Sequence, residues 1–85
     1  MTTTEKARID QLVLTQIWHV EENIYDLSEK LGLTDSEARS SLNRLMKAGK
    51  VKRRWEEFDR EGLGFWKNKY GRIMPHWHRV YGRVK

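Results

Sequence analysis

The chain has 85 residues, no cysteine and a formal net charge of +5 at pH 7. That length is close to the smallest that supports one hydrophobic core, so residues 1–85 are read as a single domain with no room for a second catalytic lobe. Lack of cysteine excludes disulfide staples and thiol chemistry, and no stretch approaches the roughly 20 apolar residues of a membrane span, which makes the cytoplasm the expected compartment.

The first helix is expected to follow the N-terminal threonines and to run to about Val20 or Glu22, with Ile9, Leu12, Val13, Ile17 and Val20 on one face as core. Ala7, Leu14 and Trp18 form a second stripe about 100° or more around a 3.6-residue helix. That stripe needs its own cover. Either the C-terminal segment folds back over Leu14 and Trp18, or the pair forms an interface with a protein partner, since exposed tryptophan is enriched at binding hot spots.

A short second helix is predicted from Asn23, a favourable N-cap, with Ile24, Leu27 and Leu31 on its apolar face and Gly32 as terminator. The turn that follows contains only Gly32, Leu33 and Thr34. A third helix then begins at a capping box, Thr34 and Glu37, and ends at Gly49. Ala38, Leu42 and Leu45 recur at helical spacing with Met46 beside them, while Ser36, Arg39, Ser40, Asn43 and Lys47 occupy the opposite face. Two helices joined by a tight glycine-containing turn, the second with an outward polar and basic face, have the pattern of a helix-turn-helix over about residues 23–48.

The remainder reads as strand. Val51 to Phe58 alternates Val51 and Trp55 with charged neighbours, His76 to Val84 is rich in β-formers, and a further strand is expected around Leu63 to Lys69. The turn signals are residues 59–64 and Tyr70-Gly71, the latter taken as a wing tip, and Pro75 belongs at a strand end or edge. Trp55 and Trp77 are expected in the core, because aromatics in so small a domain are more often packed than exposed. The resulting fold class is α+β: a winged helix-turn-helix, three helices followed by a two- or three-stranded antiparallel wing sheet over about residues 50–84.

Charge is divided unevenly along this order. Residues 1–34 carry three basic and six acidic side chains, residues 35–85 fourteen and six, so the positive field belongs to the second half. Such asymmetry points to a polyanion partner. On the third helix, Arg39 can pair bidentately with guanine and Asn43 suits adenine. Ser36, Ser40, Arg44 and Lys47 are placed on phosphate. Lys67, Lys69 and Arg72 surround the Tyr70-Gly71 turn and are read as wing contacts to the backbone or minor groove. Trp66 and Tyr70 could instead stack on unpaired bases of RNA or a single strand.

Catalytic patterns are missing. There is no Gly-rich phosphate loop and no local Ser/His/Asp arrangement, and adjacent Glu56 and Glu57 point to opposite faces of a strand. His76 and His78 share a strand face but have no cysteine or neighbouring acid to complete a zinc site. No enzyme activity, cofactor or metal is therefore expected.

The run of Thr34, Asp35, Ala38, Arg39, Leu42, Leu45, Lys47, Ala48, Gly49, Val51 and Arg53 resembles the small winged-helix regulators of pilus operons, the FaeA-like (PapI-like) family. The match covers about twenty residues, and much of it is common to winged helices in general. The segment after Arg53 departs from that family in its length and its tryptophans. The resemblance implies a cytoplasmic bacterial regulator that binds double-stranded promoter DNA, often beside a larger regulator protein. A phage or mobile-element regulator, a second copy of the chain as partner, and a winged helix that serves as a protein adaptor are the other expectations.

Overall fold

A computed structural model describes residues 3–57, 70–75 and 77–84. The elements in chain order are α1 (Thr3–Gln16), β1 (Glu22–Asn23), α2 (Ile24–Leu31), α3 (Asp35–Lys47), β2 (Val51–Glu57) and β3 (Trp77–Arg83). The class is α+β, with three helices and a three-stranded antiparallel sheet in the order β1-β3-β2. The candidate strand at Leu63 to Lys69 lies outside the described residues.

Local chemistry sets the ends of α2 and α3. The Asn23 side chain accepts from the Asp26 backbone N–H at 2.8 Å, which satisfies one of the orphan donors of the first turn of α2. Gly32 ends that helix in the left-handed region, φ 65°, where a side chain would be strained. Thr34 and Glu37 close the capping box reciprocally: Glu37 N–H donates to Thr34 Oγ1 at 3.1 Å, and Thr34 N–H donates to the Glu37 carboxylate at 3.0 Å. At the other end, Gly49 N–H donates to the Met46 carbonyl and Lys50 N–H to that of Leu45, the bonding pattern of a Schellman motif with Gly49 at φ 74°.

The core collects the inward face of each helix. Val13 and Ile17 from α1 and its C-terminal end, Ile24 and Leu27 from α2, and Ala38, Leu42 and Leu45 from α3 enclose Val51 and Tyr81 of the sheet. Ile9, Leu14, Leu31, Leu33 and Met46 pack on its margin. Polar ties accompany this packing. Ser41, wholly buried on α3, donates to Asp10 of α1 at 2.6 Å, and Arg44 holds the same carboxylate through its Nε and Nη2, the latter at 2.7 Å.

Three expectations need correction. The first helix stops at Gln16, short of Val20, because the chain must straighten for Glu22 and Asn23 to pair with Tyr81 and Val80 of β3. Val20 is consequently exposed, and Leu12, at the edge of the stripe through Ile9, Val13 and Ile17, is also outside the core. The third correction is to the tryptophans: Trp55 is 59% and Trp77 55% exposed. In the antiparallel register Trp55 faces Arg79, and Glu57 faces Trp77, so both rings share a sheet face with Val51 and Tyr81. Only the Val51 and Tyr81 end meets the helical core; four residues further along β2, on the order of 13 Å at strand rise, the ribbon has passed beyond it.

Among the described residues, no helix is long and apolar enough to cross a membrane. The second stripe is only partly covered: Leu14 packs on the core margin, Ala7 is exposed, and Trp18, past the end of α1 and still 44% exposed, lies beneath the Arg83 guanidinium, 4.3 Å from the ring centroid.

Candidate nucleic-acid interface

Burial of Ala38, Leu42 and Leu45 fixes the rotation of α3, so the side chains opposite them must face solvent. Ser36, Arg39, Ser40, Asn43 and Lys47 are all exposed. These are five of the six positions on α3 proposed from sequence, and they share one surface. Arg44 does not share it freely. Its bidentate bond to Asp10 directs the guanidinium toward α1 and leaves the side chain about a third exposed.

The acids that would repel a polyanion from this face are occupied. Glu37 is consumed by the capping box. Asp35, the first residue of α3, receives both Arg72 nitrogens, Nη1 to Oδ1 at 2.9 Å and Nη2 to Oδ2. These bonds, against the opposing effect of burial, hold the Asp35 carboxyl below its ordinary value, with Arg39 adding a smaller electrostatic contribution. Arg72 also lies over the Tyr25 ring at 4.9 Å and within 3.9 Å of Glu29. The segment bearing Gly71, expected as a wing tip, is thereby fastened beside the start of α3. Arg72, read from sequence as a wing contact to DNA, is thus bonded to Asp35 at the start of α3.

Lys67 and Lys69 lie outside the described residues, as do Trp66 and His76. His78 is buried in β3, with Nε2 3.4 Å from Glu56 and Nδ1 3.4 Å from the Pro75 carbonyl. No group of three or more His, Cys, Asp or Glu that could hold a metal occurs among the described residues.

The sheet contributes residues that sequence reasoning did not assign. Tyr25 and Arg39 from the helices join Trp55, Trp77 and Arg79 around an open notch of about 270 Å³. Arg79 stacks over Trp55 at 4.8 Å, so a cation and an aromatic ring from paired strands form one wall. Lys50, Lys52 and Arg53 add exposed positive charge at the start of β2. The basic run from Lys50 to Arg54 was visible in the sequence as charge; its neighbourhood depended on the strand register.

A second cleft, about 760 Å³, opens between the α1–β1 connection and the ends of β2 and β3, lined by Trp18, His19, Glu21, Lys52, Arg53 and Arg83 among others. Glu21 crosses β3 at Gly82, where a Cβ would come within 3.1 Å of its side chain, and accepts from Arg54 at 2.8 Å. Hydrogen bonding from Arg54 holds the Glu21 carboxyl below its ordinary value. Comparison with protein-family models, curated proteins and solved structures gives no match for this chain.

Proposed function

We propose that the chain is a winged helix-turn-helix domain that binds double-stranded DNA sequence-specifically, as a small cytoplasmic transcription regulator. The observation that carries this reading is the outward face of α3, where Arg39, Asn43, Ser36, Ser40 and Lys47 are exposed together while Asp35 and Glu37 are both engaged. In this reading α2 crosses the phosphate backbone and α3 lies in the major groove, which is wide enough for a helix. Arg39 presents a planar fork to guanine O6 and N7, and Asn43 both donates to and accepts from adenine. Ser36, Ser40 and Lys47 hold phosphate oxygens and fix the register of the helix. The β2–β3 ribbon supplies the wing, with Lys50, Lys52 and Arg53 adding sequence-independent attraction.

Binding of this kind has two separable signatures. Phosphate contacts release counterions and weaken steeply with salt, whereas base contacts discriminate at any salt. The test is a titration of the protein into its own upstream DNA and into a scrambled duplex of equal length, at two salt concentrations. Preference for the native duplex should persist at the higher salt, and Arg39→Ala should reduce that preference by about 5- to 150-fold, the worth of one bidentate base contact. Equal affinity for both duplexes, lost together as salt rises, would remove the regulator reading. The adaptor reading would then lead, favoured by half-exposed Trp18 at the 760 Å³ cleft.

A further inference from the structure

Two tryptophans exposed by more than half on one sheet face are unusual for a chain whose core is small enough to need every large apolar side chain. Their surroundings narrow what they serve. The notch they line with Tyr25, Arg39 and Arg79 has no acidic residue among its described lining residues, Glu57 standing beside it opposite Trp77, and two of its members are arginines. Arg39 belongs at once to this notch and to the outward face of α3. A flat aromatic ring covered by a guanidinium, 4.8 Å from its centroid, offers a planar surface together with positive charge. Nucleobases are the polyanion's own planar groups, and they stack on aromatic and guanidinium planes when they leave the helix. A fully paired duplex exposes only base edges in its grooves, so it gives these ring faces nothing to stack against.

From this juxtaposition we propose that the Trp55–Arg79 wall, with Arg39 and Trp77, receives a nucleobase displaced from the duplex, so that the protein prefers DNA with an unpaired or locally unstacked base beside the site read by α3. The proposal rests on the DNA-binding reading and adds a specific ligand group to it. Arg39 would then link the two surfaces, its guanine contact lying beside the point where the base departs. An acidic peptide would satisfy the arginines but would leave the ring faces without a planar partner.

The test uses three duplexes of one sequence: fully paired, carrying a single bulged 2-aminopurine, and carrying an abasic residue at the same bulge. The last two have equal phosphate charge and differ only in the base. The bulged base should bind on the order of tenfold tighter than the abasic bulge, within the range measured for aromatic stacking, and its fluorescence should be quenched on binding. Trp55→Ala should abolish both effects, and Trp55→Phe should restore part of each. Arg79→Lys, which keeps the charge and removes the planar face, should diminish them without loss of fold. Equal affinity for base and abasic bulges, or a preference that survives Trp55→Ala, would overturn the proposal. So would displacement of the bulged DNA by polyglutamate as effectively as by unlabelled bulged DNA. Loss of paired-duplex binding with the bulge preference intact would instead remove the sequence-specific regulator and retain the notch.

Discussion

Two arginine–aspartate pairs stand at either side of α3 and do different things. Arg44 meets Asp10 across the contact between α1 and α3, joined there by buried Ser41. Arg72 meets Asp35 at the part-buried start of α3, beside the proposed recognition face. Both are bidentate, and both hold their aspartate below its ordinary value. For Asp10 the largest influence is burial, which pushes the carboxyl up, and the combined effect of Arg44 and Ser41 outweighs it. For Asp35 the Arg72 hydrogen bonds dominate from the start. The consequence of an ion pair follows from what lies around it: one pair sets the seating of a helix, the other the charge that helix presents.

The largest expected effect comes from breaking the Arg44–Asp10 pair. Arg44→Ala removes the hydrogen-bond donor to a carboxylate that is about four-fifths buried and leaves Ser41 as its sole remaining donor among those named. Loss of a charge-assisted hydrogen bond at such a site should cost roughly 1.5–3 kcal/mol, read as a lower denaturant midpoint with unchanged slope. Affinity for the native duplex, measured where the variant is fully folded, should change little. A large loss of affinity with unchanged stability would reverse the roles, returning Arg44 to the phosphate contact that its sequence position suggests.

That reversal shows where the sequence is legible. The ends of α2 and α3 are written locally: Asn23, Gly32, the Thr34 and Glu37 box and Gly49 each act within a few residues, and all function as read. The outward face of α3 follows from the spacing of Ala38, Leu42 and Leu45. What escapes is everything that depends on distant partners. Arg44 and Asp10 are 34 residues apart, and Arg72 and Asp35 are 37 apart. No local pattern marks either union. The two-residue β1 is too short to carry alternation, yet its pairing with β3 ends α1 early and exposes Val20. Trp55 and Trp77 look like core from composition; only the register and the reach of the ribbon past the helices show them on the surface.

Acid should separate the pairs next. Each aspartate has a folded pKa depressed below its ordinary value, so each contributes stability above its unfolded pKa and loses it as pH falls through the folded one. The window therefore lies below about pH 5, where unfolded carboxylates begin to take up protons. Denaturant midpoints measured downward from pH 6 should fall in the wild type, and Arg44→Ala should flatten that fall by removing the tie that keeps Asp10 ionised. Arg72→Ala should flatten it less, because Asp35 sits in a more exposed pair that solvent screens. An equally steep acid branch in Arg44→Ala would assign the depression of Asp10 to something other than this arginine.

The smallest effect is also the most discriminating. If Arg72 contacts phosphate directly, Arg72→Ala weakens binding irreparably; if it masks Asp35, the loss arises from an uncovered carboxylate at the recognition helix. The second account expects a decrease of a few-fold in affinity, equal on native and scrambled duplexes, because one surface charge near a polyanion is involved and salt screens it. It also expects repair. Arg72→Ala combined with Asp35→Asn should return most of the affinity, since the Asp35 charge is then gone and only the more distant Glu29, 3.9 Å from Arg72, loses a partner, while an asparagine at the first helical turn still tolerates the nearby helix dipole. A double variant as weak as Arg72→Ala alone would make Arg72 a direct contact. Restoration would establish that this surface binds DNA partly because a distant arginine, recruited from beyond the turn at Gly71, silences the acid that the N-terminus of α3 itself attracts.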